Sequence, residues 1–205
     1  KKYRGCYGFG ISRVNRKILY RRGTRFFWVG ATTPQTVGGR RAHPPKAEKI
    51  LVQSINRKEN SKAIRSAIAA TVNRALVQKR GHHTPQEYPF ALDASFEHVG
   101  KTKDVEKALA TLGFTEELER SAKKKVRAGI GKMRGRRYRR RKGILIVISE
   151  HCPLEKAAQN IPGIDIIKVN SLNAHVLAPG AMPGRATVWT TKALDALEKN
   201  NLYHS

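Results

Sequence analysis

Gly129-Ile130-Gly131-Lys132 is the first string in the chain that could do chemistry, since a glycine loop ending in lysine is how phosphates are cradled. The P-loop needs glycine five places before the Gly-Lys, where Val126 stands, and Ser or Thr after the lysine, where Met133 stands. The glycines also precede an apolar strand-like run, whereas phosphate loops follow one. Cys152 beside His151 could suggest a thiol nucleophile, but no further His or Asn completes a recognised arrangement, and a partly buried structural thiol fits better. His82 and His83 read as loop residues, since no third metal ligand stands at a usual spacing. Asp165, Asp195 and Glu198 make no acid–base pair. No catalytic constellation, metal site or cofactor is expected.

The chemistry that remains belongs to arginine. The stretch 127–142 carries seven arginines, three glycines, Tyr138 and no acid. Guanidinium forks bind phosphate bidentately and stack on bases, and glycines let a backbone approach closely. Arg127, Lys132, Arg134, Arg136, Arg137, Tyr138, Arg139, Arg140, Arg141 and Lys142 are therefore candidate nucleic-acid contacts. A second group lies near the start, where Arg4, Arg13, Arg16, Lys17, Arg21, Arg22, Arg25, Arg40, Arg41, His43 and Lys46 interleave with aromatics. Among those aromatics, Phe26, Phe27 and Trp28 are candidates for stacking or for wedging between RNA helices.

The charge arithmetic isolates the same two regions. The 205 residues hold 41 Lys plus Arg and 15 Asp plus Glu, a formal +26. Residues 1–49 have thirteen bases and one acid, Glu48, and residues 120–142 have thirteen bases and none. The other 133 residues are within one charge of neutral. A neutral body with two basic attachments binds polyanions by counterion release. The longest aliphatic run, Ile144 to Ile148, is far short of the roughly 20 residues of a membrane helix. Cys6 and Cys152 are too far apart in sequence for a disulfide framework or a metal knuckle, which reads as a reducing, intracellular protein. No signal peptide is read. The chain opens on Lys1 rather than Met, so a preceding portion is expected.

The elements that must position these residues follow from periodicity. Residues 1–46 show no sustained period and contain seven glycines, which reads as a long irregular arm that orders on RNA. Pro44-Pro45 makes a stiff exit into the globular part, 47–205. A helix is expected over 60–80, capped by Asn60, with Ile64, Ile68, Val72 and Leu76 inward and Gly81 closing it. Further helices are expected over 102–112, capped by Thr102, and from Thr115 into the lysines 123–125. Three strands, near 143–148, 164–169 and 185–190, alternate with helices near 154–160, 171–177 and 191–199. That alternation implies an α/β fold, a three-layer α/β/α domain with a mainly parallel sheet, with the basic loop 120–142 attached.

Several strings then resemble one family. Gly39-Arg40-Arg41-Ala42-His43-Pro44-Pro45-Lys46, Arg65 to Thr71, Arg80-Gly81-His82, Asn160-Ile161-Pro162-Gly163-Ile164 and Leu177-Ala178-Pro179-Gly180-Ala181-Met182-Pro183-Gly184-Arg185 are similar, in order, to the archaeal and eukaryotic form of ribosomal protein four of the large subunit. Gly180-Ala181 stands where that family commonly has Gly-Gly. The resemblance implies a structural protein of the cytoplasmic ribosome that binds large-subunit rRNA, touches neighbouring ribosomal proteins and supports assembly. Its arm would reach the peptide exit tunnel, with Tyr7, Phe9, Ser12, Arg13 and Arg16 nearest the nascent peptide. The family pattern also has a strand, a helix and an outgoing arm ahead of these residues, so the three strands are expected to be joined by one not present here. An RNA-modifying or nucleotide-using α/β enzyme is the alternative, and a catalytic constellation is what would distinguish it. A free DNA-compacting protein would carry its bases along a helix or repeat, and here they do not lie so.

Overall fold

A computed structural model of the chain describes residues 14–203, which form two compact units parting between Ser54 and Ile55. In the first unit, strands β1 (Arg16–Arg22) and β2 (Arg25–Gly30) pair antiparallel as a hairpin. Its two-residue turn is Gly23-Thr24, with Gly23 at φ +57°, a conformation glycine adopts without steric cost. A bulge at Leu19 shifts the register, which pairs Ile18 with Trp28 and Tyr20 with Phe27. Residues 31–40 fold back on the hairpin base, with the Ala31 N–H donating to Asn15 O at 2.8 Å and the Arg40 N–H to Thr32 O at 3.3 Å. This part of the arm, read from the sequence as irregular, is thus a strand pair. Its strands lack the apolar–polar alternation of a half-buried strand because every β1 residue is exposed.

The second unit is built on a parallel sheet. Helices α1 (Arg57–Val72) and α2 (Arg74–Lys79) lead to strand β3 (Ala91–Leu92), and helices α3 (Thr102–Thr111) and α4 (Thr115–Ala122) follow. A short antiparallel pair, β4 (Lys125–Val126) and β5 (Tyr138–Arg139), brackets the basic loop. Then come β6 (Leu145–Ile148), α5 (Pro153–Gln159), β7 (Asp165–Lys168), α6 (Ala174–Leu177), β8 (Thr187–Thr190) and α7 (Thr191–Lys199). The sheet order is β3-β8-β6-β7, and every neighbouring pair is parallel.

All of β6 is buried, as a continuous apolar run in a central strand must be. Ile146 and Ile148 point into one core with Val105 and Leu109 of α3 and Leu154 of α5. Leu145 and Val147 point into the other with Ile64 of α1, Leu177 of α6 and Ala193 of α7. Helices therefore cover both faces, and the three-layer α/β/α arrangement is observed. Each of these Val, Leu and Ile side chains contributes about 1.5–3 kcal/mol by leaving water.

Several local expectations are corrected. The helix expected over 60–80 is two, because the Asn73 side chain turns back to accept the N–H groups of Ala75 (3.0 Å) and Leu76 (3.4 Å) and caps a new helix. The break resets the inward face, so Thr71 and Val77 are buried while Val72 and Leu76 are 50% and 36% exposed. Asn56, not Asn60, is the N-cap of α1. Thr102 and Thr115 are the first helical residues of α3 and α4 rather than their caps. Helix α4 ends at Ala122, and extended Lys123 (ψ 109°) feeds Lys125 into β4. Ala91–Leu92 supplies a fourth strand within the chain that the sequence reading did not count.

Candidate nucleic-acid interface

In an open α/β sheet, ligands sit beyond the carboxyl ends of the strands where the chain changes direction. Here the chain runs from β6 out to β7 and then returns past β6 to β8, so that place lies between Ser149 and Thr190. The Glu97 carboxylate, 4% exposed, lines it. It accepts the Ser149 N–H (3.1 Å), the Ser149 hydroxyl (2.9 Å) and the Thr190 hydroxyl (2.6 Å). A cleft of about 510 Å³ remains there, and the carboxylate on its wall is taken up by the chain's own strand ends. Among the described residues no group of three or more His, Cys, Asp or Glu could hold a metal, and no helix is long and apolar enough to cross a membrane. Cys152 is a half-buried free thiol, and burial pushes its pKa up, the reverse of an activated nucleophile.

The hairpin of the first unit carries arginine over aromatic on both faces. Phe26 and Trp28 stand two apart on one face of β2, centroids 6.2 Å apart, with the Arg21 guanidinium 5.7 Å from Phe26 and Arg16 5.6 Å from Trp28. On the other face Tyr20 and Phe27 stack at 4.1 Å and 16°, with Arg25 5.0 Å from Phe27. Cation–π contact explains how a strand pair with no core keeps its rings ordered. Trp28 stays 53% exposed. Exposed rings beside unpaired guanidiniums stack bases and bind phosphates. Arg40, Arg41, His43 and Lys46 follow on exposed, irregular chain in the same unit.

The second basic region is more ordered than a loop of arginines suggests. Between β4 and β5 the chain makes a 3₁₀ turn, Ile130–Arg134, flanked by Gly129 at φ +78° and Gly135 at φ +76°. The Arg127 N–H donates to Arg137 O (2.8 Å) and its Nε–H to Arg136 O (3.0 Å), which closes the loop on itself. Lys124 and Arg137 flank the Tyr138 ring at 4.5 and 5.5 Å. Arg134, Arg136, Arg139, Arg140 and Arg141 are exposed, whereas Lys142 pairs with Asp165 at 2.8 Å.

Beneath this loop lies a buried charge cluster. Glu117, fully buried on α4, accepts from Arg120 Nε (2.7 Å) and Nη2 (2.5 Å) and from the His83 N–H (3.0 Å), and pairs with His82 Nδ1 (2.7 Å). Burial pushes its carboxyl up, but the bonds from Arg120, His82 and His83 outweigh that and hold it at about 2. Burial also pulls the His82 imidazole below its ordinary value, against the opposing pull of Glu117. Arg185, 1% exposed, is held by Gly143 O (2.9 Å), Val176 O (3.0 Å) and Asp165 (2.6 Å).

The model of the ribosomal protein L4/L1 family matches residues 1–200. A large ribosomal subunit protein uL4 from Nanoarchaeum equitans is 48% identical over 204 residues, 99% of this chain and 76% of that relative. Those of Archaeoglobus fulgidus and Pyrobaculum aerophilum are 46% and 44% identical, covering 93% and 96% of this chain and 73% and 70% of theirs. The chain belongs to the ribosomal protein L4/L1 family. Membership bears on the cleft at Glu97, because this is a family of ribosomal proteins and the enzyme alternative finds no support in it.

Placed in the structure of this family member, the sequence-derived sites divide into two sets. Arg16, Lys17, Arg21, Arg22, Arg25, Phe26, Phe27 and Trp28 come together on the hairpin. Arg127, Lys132, Arg134, Arg136, Arg137, Tyr138, Arg139, Arg140, Arg141 and Lys142 come together around the β4–β5 loop. Arg4, Tyr7, Phe9, Ser12 and Arg13 lie outside the described residues. Sequence reasoning did not select Arg80 and Arg120, which stand under the loop. The Arg120 Nη2 donates to Lys142 O at 2.8 Å, and no local pattern announces a contact 22 residues away.

Proposed function

We propose that this protein is a structural constituent of the large ribosomal subunit that binds large-subunit rRNA through the two basic regions. The single observation that carries the reading is the gathering of unpaired cations and exposed rings on two hairpins, in a chain matched to a ribosomal protein family over residues 1–200. On this reading Arg16 to Trp28 and Arg40 to Lys46 meet one rRNA segment, and Arg127 to Lys142 meet another. The segment with Tyr7, Phe9, Ser12, Arg13 and Arg16 is assigned to the exit-tunnel wall beside the nascent peptide. The nearly neutral remainder faces solvent and neighbouring ribosomal proteins, as the names of its relatives suit: large ribosomal subunit protein uL4. Binding of the purified chain to a large-subunit rRNA fragment, measured across salt, tests this. About ten phosphate contacts give a slope of log K against log salt of about −7 to −9, and a slope shallower than about −3 would contradict the reading.

A further inference from the structure

A cavity of about 710 Å³ opens in the second unit, away from the sheet crevice, with Arg80, Arg120, Lys124, Arg139, Arg140 and Gly180 on its wall. Its volume suits a nucleotide-sized ligand, within the range of about 300–1,000 Å³ of ordinary pockets. Its chemistry does not suit a metabolite, because such pockets are mostly apolar with a few polar groups, whereas this wall is cationic and carries no carboxylate. Like charges brought this close repel, and among the described residues the Lys and Arg of the wall pair only with Glu117 behind it and with Asp165 at Lys142.

Arg80 follows α2 and meets a wall that lies 99 positions further along the chain. One end of its guanidinium is fixed there, with Nη2 donating to Pro179 O at 2.7 Å. The other terminal nitrogen, Nη1, is buried with no hydrogen-bond partner. A buried donor left unmet is unfavourable, and a native protein usually meets it with a group of its own or of its ligand. Arg120 beside it is held rigid by Glu117 and Lys142 O. Gly180 has φ +75° and open space where a Cβ would stand, so the wall admits a close backbone approach there. Charge-assisted, forked donors held in fixed geometry recognise phosphate.

The geometry points to a phosphate-binding cavity, centred on Arg80 and Arg120, that receives a turn of RNA backbone and not a base. This rests on the rRNA-binding reading above and extends it to residues outside both basic hairpins. The rim arginines Arg139 and Arg140 neutralise the phosphates entering and leaving the turn, while Arg80 and Arg120 hold the phosphate at its floor. The Glu117–His82 pair is a positioning pair: it holds Arg120 without touching the RNA.

The test uses the full chain with the rRNA fragment and five variants. Arg80→Met and Arg140→Gln are each expected to weaken binding about tenfold and to make the salt slope shallower by about 0.7–0.9 for each phosphate no longer neutralised. Arg16→Gln on the hairpin is expected to weaken it independently, and Lys107→Gln, exposed on α3, to leave it unchanged. Arg140 also belongs to the β4–β5 contacts, so Gly180→Asp, at an exposed wall position outside both hairpins, is expected to weaken binding by repelling phosphate and keeps the test valid if Arg80→Met fails to fold. Wild-type affinity in Arg80→Met and Gly180→Asp, with Arg16→Gln and Arg140→Gln still weakened, would overturn the cavity and leave the rRNA reading standing. A shallow wild-type slope would overturn both. Inorganic pyrophosphate, titrated against the isotope-labelled chain and read on the His82 ring resonances, separates RNA from a free anion. Millimolar binding is expected, and micromolar saturation would overturn the RNA assignment in favour of a small-anion site.

Discussion

Glu117→Gln keeps the shape of a buried side chain and removes the charge on which Arg120, His82 and the His83 N–H converge. In the folded protein the carboxyl titrates at about 2, against 4.5 for the free group. A depressed acid contributes stability that is complete above the unfolded value and is lost as pH falls through the folded one. At roughly 1.4 kcal/mol per unit, the contribution at neutral pH is about 3 kcal/mol, and by pH 3 it has dropped to less than half of that. His82 acts in the same direction, because its imidazole is also held below its ordinary value and must take up a proton on unfolding in acid. Urea unfolding followed by far-UV circular dichroism, for both proteins at pH 7 and pH 3, measures this. Glu117→Gln is expected to be less stable by about 3 kcal/mol at pH 7, with the gap closing by about half or more at pH 3. A gap below about 1 kcal/mol at pH 7, or one that does not change with pH, would refute the charge network as the source of stability under the basic loop.

Three further outcomes follow from the backbone and the rings. Ala181 occupies φ +60°, a left-handed conformation costly for any residue with a Cβ, so Ala181→Gly should stabilise the fold by about 0.5–1 kcal/mol, read as a rise in Tm. Gly163 sits at φ +84° with an added Cβ 2.6 Å from Ser121 Cβ and 3.0 Å from Arg141 O. Gly163→Ala should therefore cost about 2–4 kcal/mol in urea unfolding, and wild-type stability would mean the turn relaxes freely. Trp28→Ala should leave the unfolding of the second unit unchanged and weaken rRNA binding by about 1–3 kcal/mol, the value of one stacked base, in a filter-binding or anisotropy assay.

The resemblance strings acquire physical reasons in the structure. In Ile161-Pro162-Gly163-Ile164, the glycine lets the turn into β7 pass against Ser121 on α4, and Ile161 and Ile164 fill the core. In Pro183-Gly184-Arg185, Gly184 at φ +85° lies where a Cβ would be 2.8 Å from Leu76 O, and Arg185 is the buried ion-pair partner of Asp165. The first string could be read as a turn, but nothing local says that Arg185 is inside, because an arginine in a chain of +26 counts as surface. Central strands were readable for the opposite reason: Leu145 to Ile148 is apolar at every position, as burial on both faces demands. Strand β3 is two residues long, between Pro89-Phe90 and Asp93, too short to show any period. The β1–β2 hairpin hid because its two faces carry the same mixture of arginine and ring, so no polar–apolar contrast marks the alternation, and Gly23-Thr24 was its only local signal. The arginines of the β4–β5 loop were legible as candidates from composition alone. Arg80 and Arg120 were not, since the cavity is made by tertiary contacts such as Arg80 to Pro179, 99 positions apart.

The central claim is that this chain is a fixed part of the large ribosomal subunit, held by its two basic regions. The most direct measurement is the sedimentation of the tagged protein when a native cell extract is run on a sucrose gradient. The account requires co-migration with the large subunit that survives a moderate salt wash, and release of a variant in which Arg16, Arg21, Arg25, Arg136, Arg137 and Arg139 are all changed to Gln. Wild-type protein found mostly free at the top of the gradient would contradict it.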